Sequence, residues 1–296
     1  MVFSSLKTGT SWMWKNKRVV LFYYIFNLVS GIILMLPMRA SLGRYLDDSL
    51  LGKQLGGMFN MDFLFEFLVQ NKNVIPVVIY LLGVVAVLYW LANLFLSGGT
   101  LALAASNEAY SAANFWGNNA RFFGRFFRLF LWSLPLVLII LIIFLIEIVF
   151  QRLLFGSDPY QYITYWGKWV RLGVLAFTIF FYMMAFDYAR IYTVITNERK
   201  MRLAMWEGVS FFWKNFGKVF MLAFSIALVG YLSLFIYNPV ANMLSTPSSF
   251  VILSLLLGQQ FYMFFRMMIR VTLLASEVQL YSLAVREPAE GATPLS

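Results

Sequence analysis

Six long apolar stretches, separated by polar or basic connections, constrain this chain more than any other feature. Each has about the 20 residues that a helix needs to cross a hydrocarbon core roughly 30 Å thick. Hydrophobic residues make up 61% of the chain and charged residues only 12%, which is more apolar surface than a soluble domain buries. The sequence therefore predicts an all-α, polytopic membrane protein with six transmembrane helices. The stretches are approximately residues 19–38, 74–96, 127–149, 169–195, 218–237 and 250–274.

The basic residues predict the orientation of the six helices. Most of the 23 Lys and Arg residues lie on the side of the membrane that also holds both chain ends, including the cluster Arg199, Lys200 and Arg202. Because cytoplasmic connections carry an excess of Lys and Arg, we expect both termini in the cytoplasm. An even number of spans also requires both termini to lie on the same side of the membrane. The expected location is the inner (cytoplasmic) membrane of the cell.

The net charge of +10 is also explained by a membrane. The basic residues lie beside the apolar stretches, and the chain has no base-reading motif or separate basic domain, so we expect no nucleic-acid binding. Anionic headgroups attract basic residues near the surface by about 1 kcal/mol each. The predicted partner is therefore the lipid bilayer, with anionic headgroups on the cytoplasmic side, and a membrane protein is a further candidate partner.

The composition excludes several chemistries. The chain has no cysteine and no histidine, so thiol nucleophiles, disulfides, His-bound haem and the usual Cys/His zinc sites are impossible. It also contains no phosphate-binding Walker loop, no dinucleotide fingerprint and no Gly-x-Ser-x-Gly elbow. We therefore expect no cofactor and no enzymatic activity.

Short motifs recur along the chain and indicate an internal repeat. Ser-Asn-Glu ends at Glu108 and Thr-Asn-Glu ends at Glu198, 90 residues later. Trp-Lys-Asn ends at Asn16 and again at Asn215, each time just before an apolar stretch. A single transmembrane domain, residues 1–286, is thus predicted to contain three units, each an amphipathic interfacial helix followed by two spans as a hairpin. The units are approximately 5–105, 106–195 and 196–286, and residues 287–296 are expected to form a short flexible tail.

The segments that precede the odd spans are amphipathic. In the third unit one helical face carries apolar residues, with basic residues elsewhere on the helix. A helix with Trp and Phe on one side and Lys or Arg on the other is typical of the headgroup layer. Two roles remain open: seating the hairpins, or binding anionic lipid or a cytoplasmic partner. The apolar face comprises Met201, Met205, Val209, Phe212, Trp213 and Phe216.

Ionisable residues inside the spans are the main functional candidates, because each costs about 2.5–3.5 kcal/mol at mid-bilayer. We align the second span of each unit on the glutamate at its inner end, which is Glu108, Glu198 or Glu277. This alignment places Asp187 and Arg266 at the same depth in spans four and six. We therefore predict an interhelical ion pair between Asp187 and Arg266.

Two interpretations of this pair are open. It either joins two hairpins structurally, or it belongs to a gate or anion site in a polar cavity. In the second case Arg266 and Arg270, one turn apart, would face the cavity, with Arg190 at a similar depth. The other cavity residues would be Gln259, Gln260 and Asn93.

The repeated glutamates at the inner ends allow a second hypothesis. Glu108, Glu198 and Glu277 could bind a cation if they converged on a pseudo-threefold axis. The alternative is that they close helix ends or pair with arginine side chains.

The repeated motifs resemble those of a loose group of bacterial six-span membrane proteins, including the membrane domain fused to some glycerophosphoryl diester phosphodiesterases. The resemblance covers mainly residues 100–285 and rests on the Asn-Glu steps at Asn107 and Asn197 and on Trp-Lys-Asn ending at Asn215. It implies a bacterial inner-membrane protein that acts on or near lipids or a partner. The chain lacks the phosphodiesterase domain and its catalytic residues, so no activity carries over.

These observations lead to one functional hypothesis and one alternative. The first is a non-enzymatic membrane protein that serves as a scaffold or accessory component of a membrane complex or of a lipid-linked process. The alternative is a small transporter or channel that uses an intramembrane site at Asp187, Arg266 and Arg270.

Overall fold

The computed structural model describes residues 1–47, 69, 74–156, 161–243 and 248–290. These residues are almost entirely helical, and no strand is found among them. Eight helices have described bounds: α1 (Val2–Lys15), α2 (Lys17–Asp47), α3 (Val74–Ser106), α4 (Ala112–Phe155), α5 (Gln161–Thr196), α6 (Met201–Lys214), α7 (Phe216–Met243) and α8 (Ser249–Glu290). Helix α8 extends into the predicted tail, of which residues 291–296 lie outside the described part of the chain.

Within the described ranges, five helices are long and apolar enough to cross a membrane, as a multi-pass protein requires. They contain five of the six predicted spans. The remaining predicted span, residues 127–149, lies within α4, which is 44 residues long. The five segments are Lys17–Gly43 in α2, Pro76–Ser106 in α3, Tyr165–Thr196 in α5, Phe216–Pro239 in α7 and Phe250–Arg286 in α8.

The two Trp-Lys-Asn motifs separate a short helix from a long one. Asn16 lies between α1 and α2, and its side-chain amide donates a hydrogen bond to the carbonyl of Trp12 at 2.9 Å. Asn215 lies between α6 and α7 and donates in the same way to Phe211 at 3.2 Å. Each amide thus satisfies a carbonyl in the last turn of the short helix, as a helix end requires.

The middle unit differs from this pattern. The 90-residue spacing places Arg125 where the third unit has Asn215, and the helix does not end there. Instead α4 runs without interruption from Ala112 to Phe155. The prediction of a separate interfacial helix before the third span is therefore wrong for this unit, because arginine continues a helix that asparagine ends.

The repeated Asn-Glu steps end two of the long helices. Asn107 follows α3 with φ 54°, and Asn197 follows α5 with φ 55°. Asparagine tolerates this left-handed conformation better than most residues, so both positions suit a helix end. In the predicted alignment on the three glutamates, the residue before Glu277 is Ser276, and α8 continues there instead of ending.

Among the described side chains, nearly all buried residues of the long helices lie towards one end of each helix. In α2 the last buried residue is Tyr23, in α7 it is Ile226, and in α8 the first is Met267. This half is the side of the bundle that holds α1, α6 and most of the basic residues. The opposite halves of the helices expose large apolar side chains throughout their described length.

Two equivalent glycines allow the short helices to lie close against long ones. Gly9 in α1 and Gly208 in α6 each precede the terminal asparagine of their helix by seven residues. A Cβ atom at Gly208 would lie 2.6 Å from the carbonyl oxygen of Ala185 in α5, and one at Gly9 would lie 2.8 Å from the amide nitrogen of Ser276 in α8. Only glycine fits these contacts without displacement.

In the middle unit the glycine is on the long helix instead. A Cβ atom at Gly99 in α3 would lie 2.5 Å from the carbonyl oxygen of Phe115 in α4, and the amide of Gly99 donates to the Asn119 side chain. The beginning of each unit therefore packs on the last helix of another: α4 on α3, α6 on α5, and α1 on α8. The contact between α1 and α8 joins the first unit to the third, so the three units close on themselves.

Candidate functional site

In three of the long helices, the residue that directly follows the close-contact position in the chain is polar and lies in the core. The contacting residues of the long helices are Gly99 in α3, Ala189 in α5 and Ser276 in α8. The residues that follow them are Thr100, Arg190 and Glu277, and all three are buried, with exposed fractions of 0%, 9% and 1%. The contacts of the repeat thus assign these residues to equivalent positions.

Arg190 is the central cation of this buried polar cluster. Its guanidinium forms an ion pair with Asp187, one turn earlier in α5. It lies 5.0 Å from the ring centroid of Phe186 and 5.9 Å from that of Phe126, so aromatic faces cover part of it. It also interacts electrostatically with the carboxylate of Glu277. The arginine therefore connects α4, α5 and α8.

Glu277 is the most deeply buried acid of the described chain. Neither carboxylate oxygen has a hydrogen-bond partner among the described residues. The hydroxyl of Tyr188, which interacts electrostatically with Glu277, also lacks one. A carboxylate in such surroundings requires an opposite charge, a proton or a donor from outside the protein. Arg190 provides the opposite charge.

Arg270 adds a second cation to the cluster. Its guanidinium lies 5.7 Å from the ring centroid of Tyr23 in α2. The hydroxyl group of Tyr23 is 3.3 Å from that of Thr100, which links α2 to α3. Arg270 and Arg190 also interact electrostatically with each other. The cluster thus contains side chains from four of the long helices, α2, α3, α5 and α8.

The predicted ion pair between Asp187 and Arg266 is not present. Asp187 pairs with Arg190 on its own helix, whereas Arg266 is exposed and forms no ion pair within the described part of the chain. The prediction is wrong because it aligned α8 on Glu277 as a helix end. The helix contacts instead make Glu277 the equivalent of Arg190.

The residues of the predicted polar cavity also do not lie together in one site. The amide of Asn93 donates to the carbonyl of Tyr89 on its own helix at 2.7 Å. The Gln260 side chain accepts a hydrogen bond from Tyr24 at 2.8 Å. Gln259 is exposed, as is Arg266 two turns later in α8. Only Arg190 and Arg270 of the predicted set enter the buried cluster.

The three repeated glutamates occupy different environments and do not converge. Glu108 is exposed and accepts a hydrogen bond from Asn114 at 3.3 Å. Glu198 accepts hydrogen bonds from the next two backbone amides, at 2.8 Å each, and these bonds hold the pKa of its carboxyl below the ordinary value. Glu277 is buried. Within the described ranges, no group of three or more acidic residues could hold a metal ion.

An open pocket of about 520 Å³ adjoins the cluster on the same side of the bundle. Charged side chains from three helices or their ends line it, namely Glu108, Arg121 and Arg286. Tyr281 and Ser282, about one turn beyond Glu277 in α8, form part of its wall. The buried polar cluster is thus separated from an open cavity by little more than one helical turn.

Sequence reasoning missed the role of Glu277. The available signal was the lack of a matching asparagine, because the close contacts align Ser276 with Gly99 and Ala189 and so place Ala284 where the other units have Asn107 and Asn197. Alanine does not favour the left-handed conformation that ends α3 and α5, and α8 continues through this position with Glu277 in the core.

The fold and the cluster together define a helical membrane protein with an ionisable core. Comparison with protein-family models, with curated proteins and with solved structures gives no match to this chain. A functional proposal therefore depends on the geometry of the chain itself.

Proposed function

We propose that this protein is a non-enzymatic, six-span protein of the inner membrane, with both termini in the cytoplasm. It acts as an accessory or scaffold component that holds a transmembrane helix of a partner protein against α8. The observation that carries the proposal is an exposed polar pair within the apolar segment of α8, Gln259 and Arg266.

The length of α4 supports the sixth span. Its 44 residues correspond to about 66 Å at 1.5 Å per residue, which exceeds the roughly 40–45 Å of a whole bilayer. The first part carries Arg121, Arg125 and Arg128, and residues 134–144 contain no polar side chain. The helix would therefore begin among the inner headgroups and cross the membrane with its apolar part.

Gln259 and Arg266 lie on one face of α8, because seven residues correspond to two helical turns. Both side chains are exposed, and neither has a hydrogen-bond or ion-pair partner within the described ranges. An arginine costs about 2.5–3.5 kcal/mol in the centre of a membrane helix, and it is normally paired or hydrated. A partner helix with an acidic side chain would supply the missing interaction.

The surroundings of this pair are suited to helix contact. Ile252 and Leu256, which lie seven and three residues before Gln259 and thus on the same face of α8, are also exposed. The outer halves of the described helices expose many large apolar side chains, which leaves apolar surface for lipid or for a second protein. The polar pair lies on one face of this apolar segment, which makes α8 the proposed docking helix.

Purification from the native membrane tests this function. The protein is extracted in a mild detergent and everything that accompanies it is identified by mass spectrometry. We expect one membrane protein in stoichiometric amount, lost in Arg266→Ala and retained in Arg39→Ala, which removes an exposed arginine near the end of α2. A preparation without any stoichiometric protein partner would contradict the proposal.

A transporter or channel is the second candidate, and the buried polar cluster favours it. The relevant residues would be Arg190, Arg270 and Glu277, and the adjoining pocket would be the entrance. The natural absence of cysteine permits cysteine scanning without background. Ser282→Cys, which lies in the pocket wall, and Ser276→Cys, which lies in the core, should both react with an aqueous thiol reagent in a transporter. If only Ser282→Cys reacts, water does not pass beyond the pocket.

A further inference from the structure

A basic pocket of about 500 Å³ lies where the middle unit meets the third. Its walls come from α4 and from the connection between α5 and α6. Four of the lining side chains are cationic and none is acidic. The lining residues are Arg128, Trp132, Arg199, Lys200, Met201 and Arg202.

The connection that carries these cations is held in a defined conformation. Arg121 and Arg125 of α4 donate hydrogen bonds to the side-chain oxygen of Asn197, at 3.0 and 2.7 Å. The carboxylate of Glu198 is occupied by two backbone amides of the same connection. The basic side chains that follow are therefore presented by an ordered backbone, and the nearest acid is already engaged.

The cations around this pocket repel one another. Burial lowers the pKa of Arg125, and the charges of Arg121, Arg199 and Arg128 lower it further. Like charges at this density are unfavourable unless an anion offsets them. The charge of Glu198 acts in the opposite sense on Arg125.

We propose that the Arg128–Arg199–Lys200–Arg202 pocket binds a phosphate group, and that the phosphate belongs to an anionic phospholipid of the inner leaflet. Arginine matches the phosphate oxygens with two parallel donors, which favours this anion over a spherical one. Trp132 is half-exposed beside the pocket, as expected of a side chain at the boundary between headgroups and acyl chains. The exposed apolar residues Leu131 and Leu138 of α4 would contact the acyl chains.

A related pocket at the junction of the first two units supports a repeated site. It measures about 460 Å³, and Lys15, Lys17 and Arg18 line it together with Trp14 and Tyr110. There Lys17 lies 5.0 Å from the ring centroid of Trp14, and Arg18 lies 5.7 Å from that of Tyr110. Because these two cations are already engaged with aromatic faces, we expect the pocket at Arg199 to bind more tightly.

Titration of the full chain in detergent tests the proposal. The probes are dioctanoyl phosphatidylglycerol, dioctanoyl phosphatidylcholine and inorganic phosphate, and binding is measured from the shift in melting temperature. The pocket variant is Arg199→Gln/Lys200→Gln, which keeps the backbone amides that bind Glu198. The matched control is Lys7→Gln/Lys214→Gln, which removes two exposed charges from the same side of the bundle.

We expect phosphatidylglycerol to bind the wild-type chain and the control, and to bind the pocket variant about 30-fold more weakly, since each basic residue near a headgroup contributes about fivefold. Inorganic phosphate that binds as tightly as the lipid, and is lost in the same variant, would overturn the assignment to a lipid while retaining the phosphate site. An equal loss in both variants would overturn the site itself. Arg202→Gln, on the exposed face of α6, provides a second test if the double variant unfolds.

Discussion

Arg190 in α5 and Glu277 in α8 occupy equivalent positions in two repeats and place a basic and an acidic side chain in the core of the bundle. Each follows directly after the residue that receives the close contact of a short helix. Their side chains interact electrostatically although neither is exposed. The pseudo-symmetric core is therefore polar at the point where an ordinary helical bundle is apolar.

Removal of either side chain's charge should lower the free energy of unfolding. Removal of both should lower it by less than the sum of the two single effects. Breaking a buried pair from one side costs about 3–5 kcal/mol, because the remaining charge stays buried. We expect Arg190→Gln to be the more damaging change, since it leaves both Asp187 and Glu277 without their cation. The measurement is a double-mutant cycle of unfolding free energies with Glu277→Gln. Additive effects would show that the two residues do not interact.

Gly208 should be intolerant of even one methyl group. A Cβ atom there meets the backbone of α5 at 2.6 Å, and backbone atoms cannot move aside without shifting the helix. We expect Gly208→Ala to cost roughly 1–3 kcal/mol in unfolding free energy. Gly217→Ala is the control, because no atom lies within 4 Å of its added Cβ, and it should be neutral or slightly stabilising. Equal melting temperatures for the two variants would contradict the close packing of α6 on α5.

The order of the connection between α5 and α6 should depend on pH through Glu198. The pKa of this carboxyl is lowered in the folded chain, so its contribution is present above the ordinary value of 4.5 and is lost as the pH falls through the lower folded value. Hydrogen exchange of the backbone amides of Arg199 and Lys200, corrected for its intrinsic pH dependence, should therefore show less protection at acidic pH. Glu198→Gln should remove most of this pH dependence. Unchanged dependence in that variant would mean that another group is responsible.

Much of the architecture could be predicted because it depends on local chemistry. The apolar stretches, the repeat and the helix ends at Asn16 and Asn215 each follow from residues next to one another in the chain. The Asn-Glu steps likewise indicate where α3 and α5 end, because Asn107 and Asn197 tolerate a left-handed backbone. Within its described ranges the structure has helix ends at Asn16, Asn107, Asn197 and Asn215.

The tertiary pairing could not be predicted from the same motifs. The alignment on Glu277 assumed that every unit ends alike, whereas α8 continues past Glu277 and keeps its side chain in the core. The middle unit shows the same effect, since Arg125 in place of asparagine makes α4 continuous. One substituted residue per repeat changes a helix boundary, and the boundary then decides which side chains are buried.

The central proposal for this protein is a partner helix at the exposed polar face of α8. A photo-cross-linking amino acid is placed at Gln259 in the full chain, in living cells, and a second variant carries it at the exposed Ile79 of α3 as a control. The proposal predicts a discrete protein adduct at Gln259 that disappears when Arg266→Ala is added, and no such adduct at Ile79. Lipid adducts alone at both positions would contradict it.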